Sequence, residues 1–313
     1  MFCYTSGTTG DPKGAMISHG SFTSIFSMID CFKFPLNETD VAISYLPYGH
    51  SFEQCIFMLS IFKGFSHGYY SGNPLKLLED IAVLKPTVFC SVPRILNRVY
   101  SAINDSMKQR GGFVEWLYNK ALETKKRSYE DNGELSSSFY DTYVFQKIKD
   151  RFGGRVRFML SASAPINADV LLFYKLALGI HVYECYGQTE TNGPATLTHP
   201  LDRSPGTVGG VLPCMRIRLR DCPELGYLST DNPPRGEVQF YGDNIFKGYY
   251  KNPERTKEAF SEDGWVCSGD VGVVFPNGAI KIIDRAKNIF KLSQGEYIAP
   301  EKLENIYAQC SII

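Results

Sequence analysis

The sequence predicts an α/β protein, with a parallel sheet built from βαβ units and a smaller antiparallel β region after it. Two observations carry this. Short apolar runs at 41–46, 87–92, 156–160 and 180–183 alternate with helix-length segments, the pattern of strands buried on both faces. From 206 to 285 the texture changes to alternating runs such as 215–219 and 237–241, broken by Gly, Pro and Asn turns. A chain of 313 residues with 43% hydrophobic content can bury one large core or two modest ones.

Each element has its own reason. Residues 15–31 repeat small, apolar and hydroxyl groups at helical spacing, and the strand at 41–46 is stopped by Pro47. Segment 52–62 is apolar and long enough for a helix, and the strand at 87–92 ends before Pro93. Residues 96–150 hold the long charged stretch from Lys108 to Glu134, with Gly111-Gly112 and Asn132-Gly133 as breaks, and read as an insert of two or three amphipathic helices. Its basic cluster Lys125-Lys126-Arg127 reads as a solvated helix face. After Gly153-Gly154 the rhythm resumes with a strand at 156–160, a helix at 167–178 and a strand at 180–183. The expected division is 1–205 for the α/β core, 206–286 for the antiparallel region and 287–313 for a further segment.

The bulk numbers exclude several classes. With 33 basic and 33 acidic residues there is no electrostatic reason to expect nucleic acid as a partner. Nine cysteines lie scattered without a C-x-x-C pair, which suits free thiols in a reducing compartment better than a disulfide framework or zinc site. The five histidines lack ligand spacing, and no run approaches the roughly 18 apolar residues of a membrane span. Both ends read as cut, so the expectation is an internal piece of a longer protein without a signal segment of its own.

The chemistry concentrates in a few stretches. Residues Tyr4-Thr5-Ser6-Gly7-Thr8-Thr9-Gly10-Asp11-Pro12-Lys13-Gly14 combine glycines, which let backbone N–H groups approach an anion, with hydroxyl donors and one mobile cation. This is a polyphosphate cradle, though not a Walker loop: Pro12 and Gly14 fall where that loop needs Gly and Ser or Thr. In Tyr183-Glu184-Cys185-Tyr186-Gly187-Gln188-Thr189-Glu190 a strand ends, glycine turns the chain and Thr-Glu sits at the mouth, either as a site or as helix capping. Ser161-Ala162-Ser163-Ala164-Pro165 follows its own strand and is otherwise a plain helix N-terminus. Trp265-Val266-Cys267-Ser268-Gly269-Asp270 ends on a carboxylate whose two oxygens can serve a vicinal diol, or is simply a hairpin.

Together these residues resemble the AMP-forming adenylating enzymes. The block from Asp263 to Asp270, then 281–285 and 290–305, is similar to the signature of the long-chain fatty acyl-CoA synthetase branch. The helical insert and Leu46-Pro47-Tyr48-Gly49-His50-Ser51-Phe52-Glu53 resemble the same branch. The resemblance implies a large adenylation domain with a truncated C-terminal lid, hinged near Lys287. It implies ATP and Mg2+ as cofactors, with CoA as co-substrate and a long-chain fatty acid as substrate. Thr5, Ser6, Gly7, Thr8, Thr9, Gly10 and Lys13 would hold phosphates, with Thr189 beside them and Glu190 on the metal. Tyr186 and Gly187, with the backbone of Ser163 and Ala164, would border adenine; Asp270 and Arg285 would take the ribose, and His50 the acyl carboxylate. Glu53 reads as structural, and Ala286 stands where long-chain members usually carry a basic residue. The apolar stretches 52–62 and 88–96 would line an acyl tunnel, since each buried methylene is worth ~0.8 kcal/mol. The family's adenylation lysine falls beyond residue 313, so this piece alone is expected to be inactive. Membrane association, at the cytosolic face of the endoplasmic reticulum or another intracellular membrane, is the family expectation for the full protein. The alternatives are another acyl or aryl adenylating enzyme, or a nucleotide-binding scaffold that has lost catalysis.

Overall fold

The computed structural model describes residues 1–5, 12–31, 34–203, 206–286, 288–291, 297, 298, 300, 303 and 307. It opens with an antiparallel hairpin, β1 (Phe2–Thr5) against β2 (Lys13–Met16), which sets Thr5 opposite Lys13. The glycine-rich segment is therefore the connection of this hairpin; Ser6, Gly7, Thr8, Thr9, Gly10 and Asp11 themselves lie outside the described residues. Helix α1 (His19–Cys31) begins later than its apolar spacing suggests, because Ala15 and Met16 belong to β2. The Ser18 hydroxyl marks the start by accepting the Ser21 amide at 3.1 Å.

The main sheet then builds in βαβ steps: β3 (Val41–Ser44), α2 (Ser51–Lys63), β4 (Ser66–Tyr69), α3 (Leu77–Leu84) and β5 (Val88–Ser91). Next come α4 (Pro93–Arg110), α5 (Gly112–Asn132), α6 (Ser138–Tyr140) and α7 (Gln146–Arg151), followed by β6 (Phe158–Ser161), α8 (Ala168–Leu178) and β7 (His181–Gln188). Strands β4, β3, β5, β6 and β7 are parallel in that order; β8 (Gly193–Leu197) and β9 (Gly210–Val211) add antiparallel strands beyond β7. A second, four-stranded antiparallel sheet follows: β10 (Met215–Arg220), β11 (Arg235–Gly242), β12 (Val266–Val274) and β13 (Ile280–Arg285), with α9 (Pro253–Ala259) between its middle strands. A short pair, β14 (Phe290–Lys291) with β15 (Tyr297–Ile298), comes last, and Lys287 lies outside the described residues.

The two-residue period of the strands explains the two cores. Val88 and Cys90 of β5, Phe158 of β6, and Tyr183 and Cys185 of β7 face a cluster formed with Phe22, Ile25 and Phe52. Their alternates Phe89, Met159 and Val182 face a second cluster with Leu96, Ile103, Phe145 and Tyr174. The charged insert therefore supplies part of the second core. Its Lys125 is buried and ion-paired with Asp141, which corrects the solvated-face reading for that residue; Lys126 and Arg127 pair on the surface with Glu130 and Glu123. The described cysteines 3, 55, 90, 185, 214, 222 and 267 are free thiols, as their spacing predicts. Among the described residues no helix is long and apolar enough to cross a membrane.

One ion pair with a buried carboxylate ties α1's exit to the sheet. Asp40, 1% exposed, accepts from Arg157 Nη2 at 2.6 Å, from Thr87 Oγ1 at 2.6 Å and from the Asn37 amide at 3.0 Å. Burial raises its pKa, but the bonds from Arg157, Thr87 and Asn37 outweigh burial and hold it below the ordinary carboxylate value. A depressed pKa contributes stability above the unfolded-state value, and that contribution is lost as pH falls through the folded one. Arg157→Met in the full-length protein should therefore cost about 2 kcal/mol at pH 7, less than a fully buried pair because Arg157 is 42% exposed. The difference from the unaltered protein should shrink as pH drops below about 4. Thermal unfolding across pH checks this, and a pH-independent gap would contradict it.

Candidate functional site

The site starts where β7 leaves the parallel sheet. Gly187 is required there: a Cβ would lie 1.9 Å from the Gly193 carbonyl oxygen, so only glycine lets β7 fold back onto β8. The turn is a 3₁₀ segment, Thr189–Thr191. Buried Thr191 Oγ1 takes the Gln188 amide at 2.9 Å, and Asn192 closes the turn in the left-handed region at φ 52°. Thr189 and Glu190 consequently sit on a braced corner, each half-buried.

From this corner two groups of side chains form. The first gathers on Asp270, near the middle of β12 and 6% exposed. Tyr186 Oη donates to its Oδ2 at 2.7 Å, and Gln188 Nε2 donates to the same oxygen at 2.9 Å and to the Ser268 carbonyl at 2.8 Å. Arg285, the register partner of Asp270 on β13, brings Nε to 3.6 Å from Oδ1. Burial pushes the Asp270 carboxyl above its ordinary value, with Asp284 adding to it; Tyr186, Arg285 and Gln188 oppose. The Tyr186 phenol is driven far upward by burial and by Asp270, so it remains a donor. Both oxygens of Asp270 were expected to be open to a diol. In the structure Oδ2 already accepts two bonds, which leaves Oδ1, shared with Arg285, as the accessible acceptor.

The second group gathers on Tyr249. Segment 244–250 crosses between the β7 corner and β2 as a strap. Asn244 Nδ2 donates to the Thr191 carbonyl at 2.7 Å and the Phe246 amide to the Glu190 carbonyl at 2.9 Å. On its other side Lys247 N donates to Met16 O at 2.8 Å, Met16 N to Gly248 O at 2.9 Å, and Tyr250 N to Gly14 O at 2.8 Å. Tyr249, 8% exposed and edge-on to Phe246, donates its hydroxyl to Glu190 Oε1, while Lys13 Nζ lies 5.2 Å from its ring centroid. Burial, followed by the Glu190 charge, raises the Tyr249 phenol well above its ordinary value.

Chemically, one tyrosine of the strap holds a carboxylate on its hydroxyl and lies under an ammonium with its ring, next to the base of the glycine-rich hairpin. Among the described residues no three His, Cys, Asp or Glu side chains converge on a metal-sized site. A single carboxylate flanked by a hydroxyl fits a hard cation that arrives with most of its oxygen ligands, as Mg2+ does on a polyphosphate.

The remaining predicted residues take these places. Thr5 and Lys13 close the base of the hairpin. Ser163, at φ 76°, and Ala164 are exposed just beyond the carboxyl end of β6, the strand parallel to β7. The helix there begins only at Ala168, capped by Asn167, which corrects the helix-N-terminus alternative for 161–165. His50 caps α2: its Nδ1 accepts the Phe52 amide at 3.2 Å, which leaves Nε2 to carry the proton when the ring is neutral, and partial burial lowers its pKa. Glu53 is buried, accepts from the Ser44 hydroxyl and lies 3.3 Å from His67 Nε2, in keeping with a structural role. Apolar stretches 52–62 and 88–96 line between them a cavity of about 70 Å³, walled by residues such as Phe52, Ile56 and Cys90 and under half the size of one that admits benzene. A larger cleft of about 400 Å³, lined by Ser44, Leu46, Tyr48, Phe57, Tyr69 and Tyr70, opens at the carboxyl ends of β3 and β4. Sequence reasoning missed Gln188, whose role inside its motif was unassigned, and Tyr249, whose only local signal was the glycine before it.

Comparison with known proteins bears on the family and the fold. The profile of the AMP-binding enzyme family matches residues 1–250. The chain is 47% identical over 312 residues to the peroxisomal long chain acyl-CoA synthetase 6 of Arabidopsis thaliana, covering 99% of this chain and 44% of that protein. It is 42% identical over 320 residues to the human long-chain-fatty-acid–CoA ligase 1, covering 98% and 44%. Among solved structures it is similar to the A domain of a carboxylic acid reductase from Segniliparus rugosus in complex with AMP and a co-purified carboxylic acid, with a TM-score of 0.76, 27% identity, and coverage of 98% and 44%. The chain thus spans about 44% of the length of these curated relatives.

The corner makes a stability test. Gly187→Ala in the full-length protein forces a methyl into the Gly193 carbonyl and should cost about 1–3 kcal/mol or more, read as a lowered thermal unfolding midpoint. An unchanged midpoint would mean the β7–β8 turn is not built this way.

Proposed function

We propose, from the premise that this chain belongs to the AMP-binding enzyme family, that the whole protein is an ATP-dependent long-chain fatty acid–CoA ligase. The fatty carboxylate attacks the α-phosphorus of ATP, pyrophosphate leaves, and the thiol of CoA then takes the acyl group from the adenylate with release of AMP. The observation that carries this reading is one turn, 186–190, reaching both Asp270 and, through Tyr249, the hairpin lysine Lys13. Identity of 42–47% to relatives named as long-chain acyl-CoA synthetases and ligases supports the substrate class.

In this reading Tyr186, Gly187 and the exposed 163–164 backbone border the adenine. Asp270 Oδ1 accepts from a ribose hydroxyl, with Arg285 closing beside it. Lys13 and the glycine-rich hairpin, from Thr5 through Gly10, receive the departing phosphates, with the Thr189 hydroxyl next to them. Glu190 would hold Mg2+, which supplies positive charge to the triphosphate. His50 Nε2–H can donate to the fatty carboxylate, orienting it for in-line attack. The protein's work is positioning and charge placement, since no side chain needs to bond covalently to the substrate. The 400 Å³ cleft falls within the range of small-molecule sites and is a candidate for the start of the acyl chain. Association with an intracellular membrane surface suits an insoluble substrate; a relative named as peroxisomal lends no weight to the endoplasmic reticulum in particular.

Two measurements on the full-length protein test this. Turnover across a series of saturated acids should be highest for long chains, with acyl-CoA and AMP formed together, and a preference for short or aryl acids would reject the substrate class. Asp270→Asn should weaken ATP binding by about 10- to 150-fold, equivalent to the 1.5–3 kcal/mol of a charged hydrogen bond. Unaltered ATP affinity would remove Asp270 from the nucleotide site.

A further inference from the structure

We propose that Tyr249 is a positioning residue for the metal: its hydroxyl fixes Glu190 Oε1, so that the other carboxylate oxygen is presented to a nucleotide-bound divalent cation, and its ring forms the seat of Lys13. This rests on the reading of Glu190 as the Mg2+ ligand.

The geometry separates the two roles within one side chain. The hydroxyl addresses Glu190, whereas the ring face addresses the Lys13 ammonium at 5.2 Å. Tyr249 itself has little freedom. It is 8% exposed, its ring packs edge-on to Phe246 at 5.0 Å, its amide donates to Thr256 Oγ1 at 2.8 Å, and it bridges to Ala15 of β2. The preceding Gly248 has φ 115°, and a Cβ there would meet Thr256 Cγ2 at 2.6 Å, so the strap can approach α9 only with glycine at this position. The backbone carbonyl of Glu190 is also held, by the Phe246 amide of the same strap. Main chain and one carboxylate oxygen of Glu190 are thus both fixed from 246–249, and among the described residues the second oxygen takes no hydrogen bond. Hydrogen bonds from outside the metal's own ligands commonly govern affinity in this way, and their loss typically costs 10- to 100-fold.

The test uses the full-length protein, Mn2+ detected by electron paramagnetic resonance, and a non-hydrolysable ATP analogue. Tyr249→Phe keeps the ring and removes the hydroxyl. It should weaken Mn2+ binding in the ternary complex about 10-fold, while metal-free analogue affinity stays within about twofold, since the seat of Lys13 is retained. Tyr249→Leu should weaken both. Mn2+ binding by Tyr249→Phe that is as tight as in the unaltered protein, or tighter, overturns the proposal. So does an equal loss with and without metal, the mark of a merely structural residue. Glu190→Gln locates the failure: if it weakens Mn2+ while Tyr249→Phe does not, the Tyr249 role is wrong and the ligand assignment stands. If neither variant affects Mn2+, the assignment of Glu190 falls and the proposal falls with it.

Discussion

The hydrogen bonds of strap 244–250 are the constraint on which the site depends. The β1–β2 hairpin and strand β7 are far apart in sequence and belong to different sheets. What joins them is a segment whose main chain bonds to Gly14 and Met16 on one side and to Glu190 on the other. Because these are backbone bonds, the strap fixes spacing as well as contact, and the side chains at its ends inherit that spacing. Lys13 and Glu190 reach the same tyrosine for this reason.

The Asp270 cluster shows the energetic side of the same design. A carboxylate with 6% exposure is costly unless its oxygens are bonded. Tyr186 and Gln188 meet that need from the β7 corner, and Arg285 meets it from the adjacent strand. The antiparallel sheet is thereby tied to the end of the parallel sheet by polar contacts. Such a network is preorganised: its donors hold the Asp270 carboxylate in one orientation without help from a ligand. It also limits what Asp270 can do, since one of its oxygens is occupied.

Much of this was legible in the sequence. Buried strands of β3, β5 and β6 announced themselves as short, mostly apolar runs, and the helical insert as charged periodic segments between Gly-Gly and Asn-Gly breaks. The start of α1 was misplaced because Ala15 and Met16 suit a helix as well as a strand, and only pairing with β1 and with the strap decides between them. Lys125 looked solvated because nothing local reveals Asp141 on a later segment. Short motifs located Glu190, Asp270 and Arg285. Tyr249 was invisible for the same reason as Asp141: its partners are made by tertiary folding, and a Gly-Tyr-Tyr step carries no chemistry of its own.

The most direct test of the central claim is a crystal structure of the full-length protein with a non-hydrolysable ATP analogue and Mg2+. The account predicts one nucleotide spanning both clusters: its ribose within hydrogen-bond distance of Asp270, its terminal phosphates against Lys13, and the metal about 2.1 Å from a Glu190 oxygen. A nucleotide that touches Asp270 while its phosphates point away from Lys13 and Glu190 would contradict it.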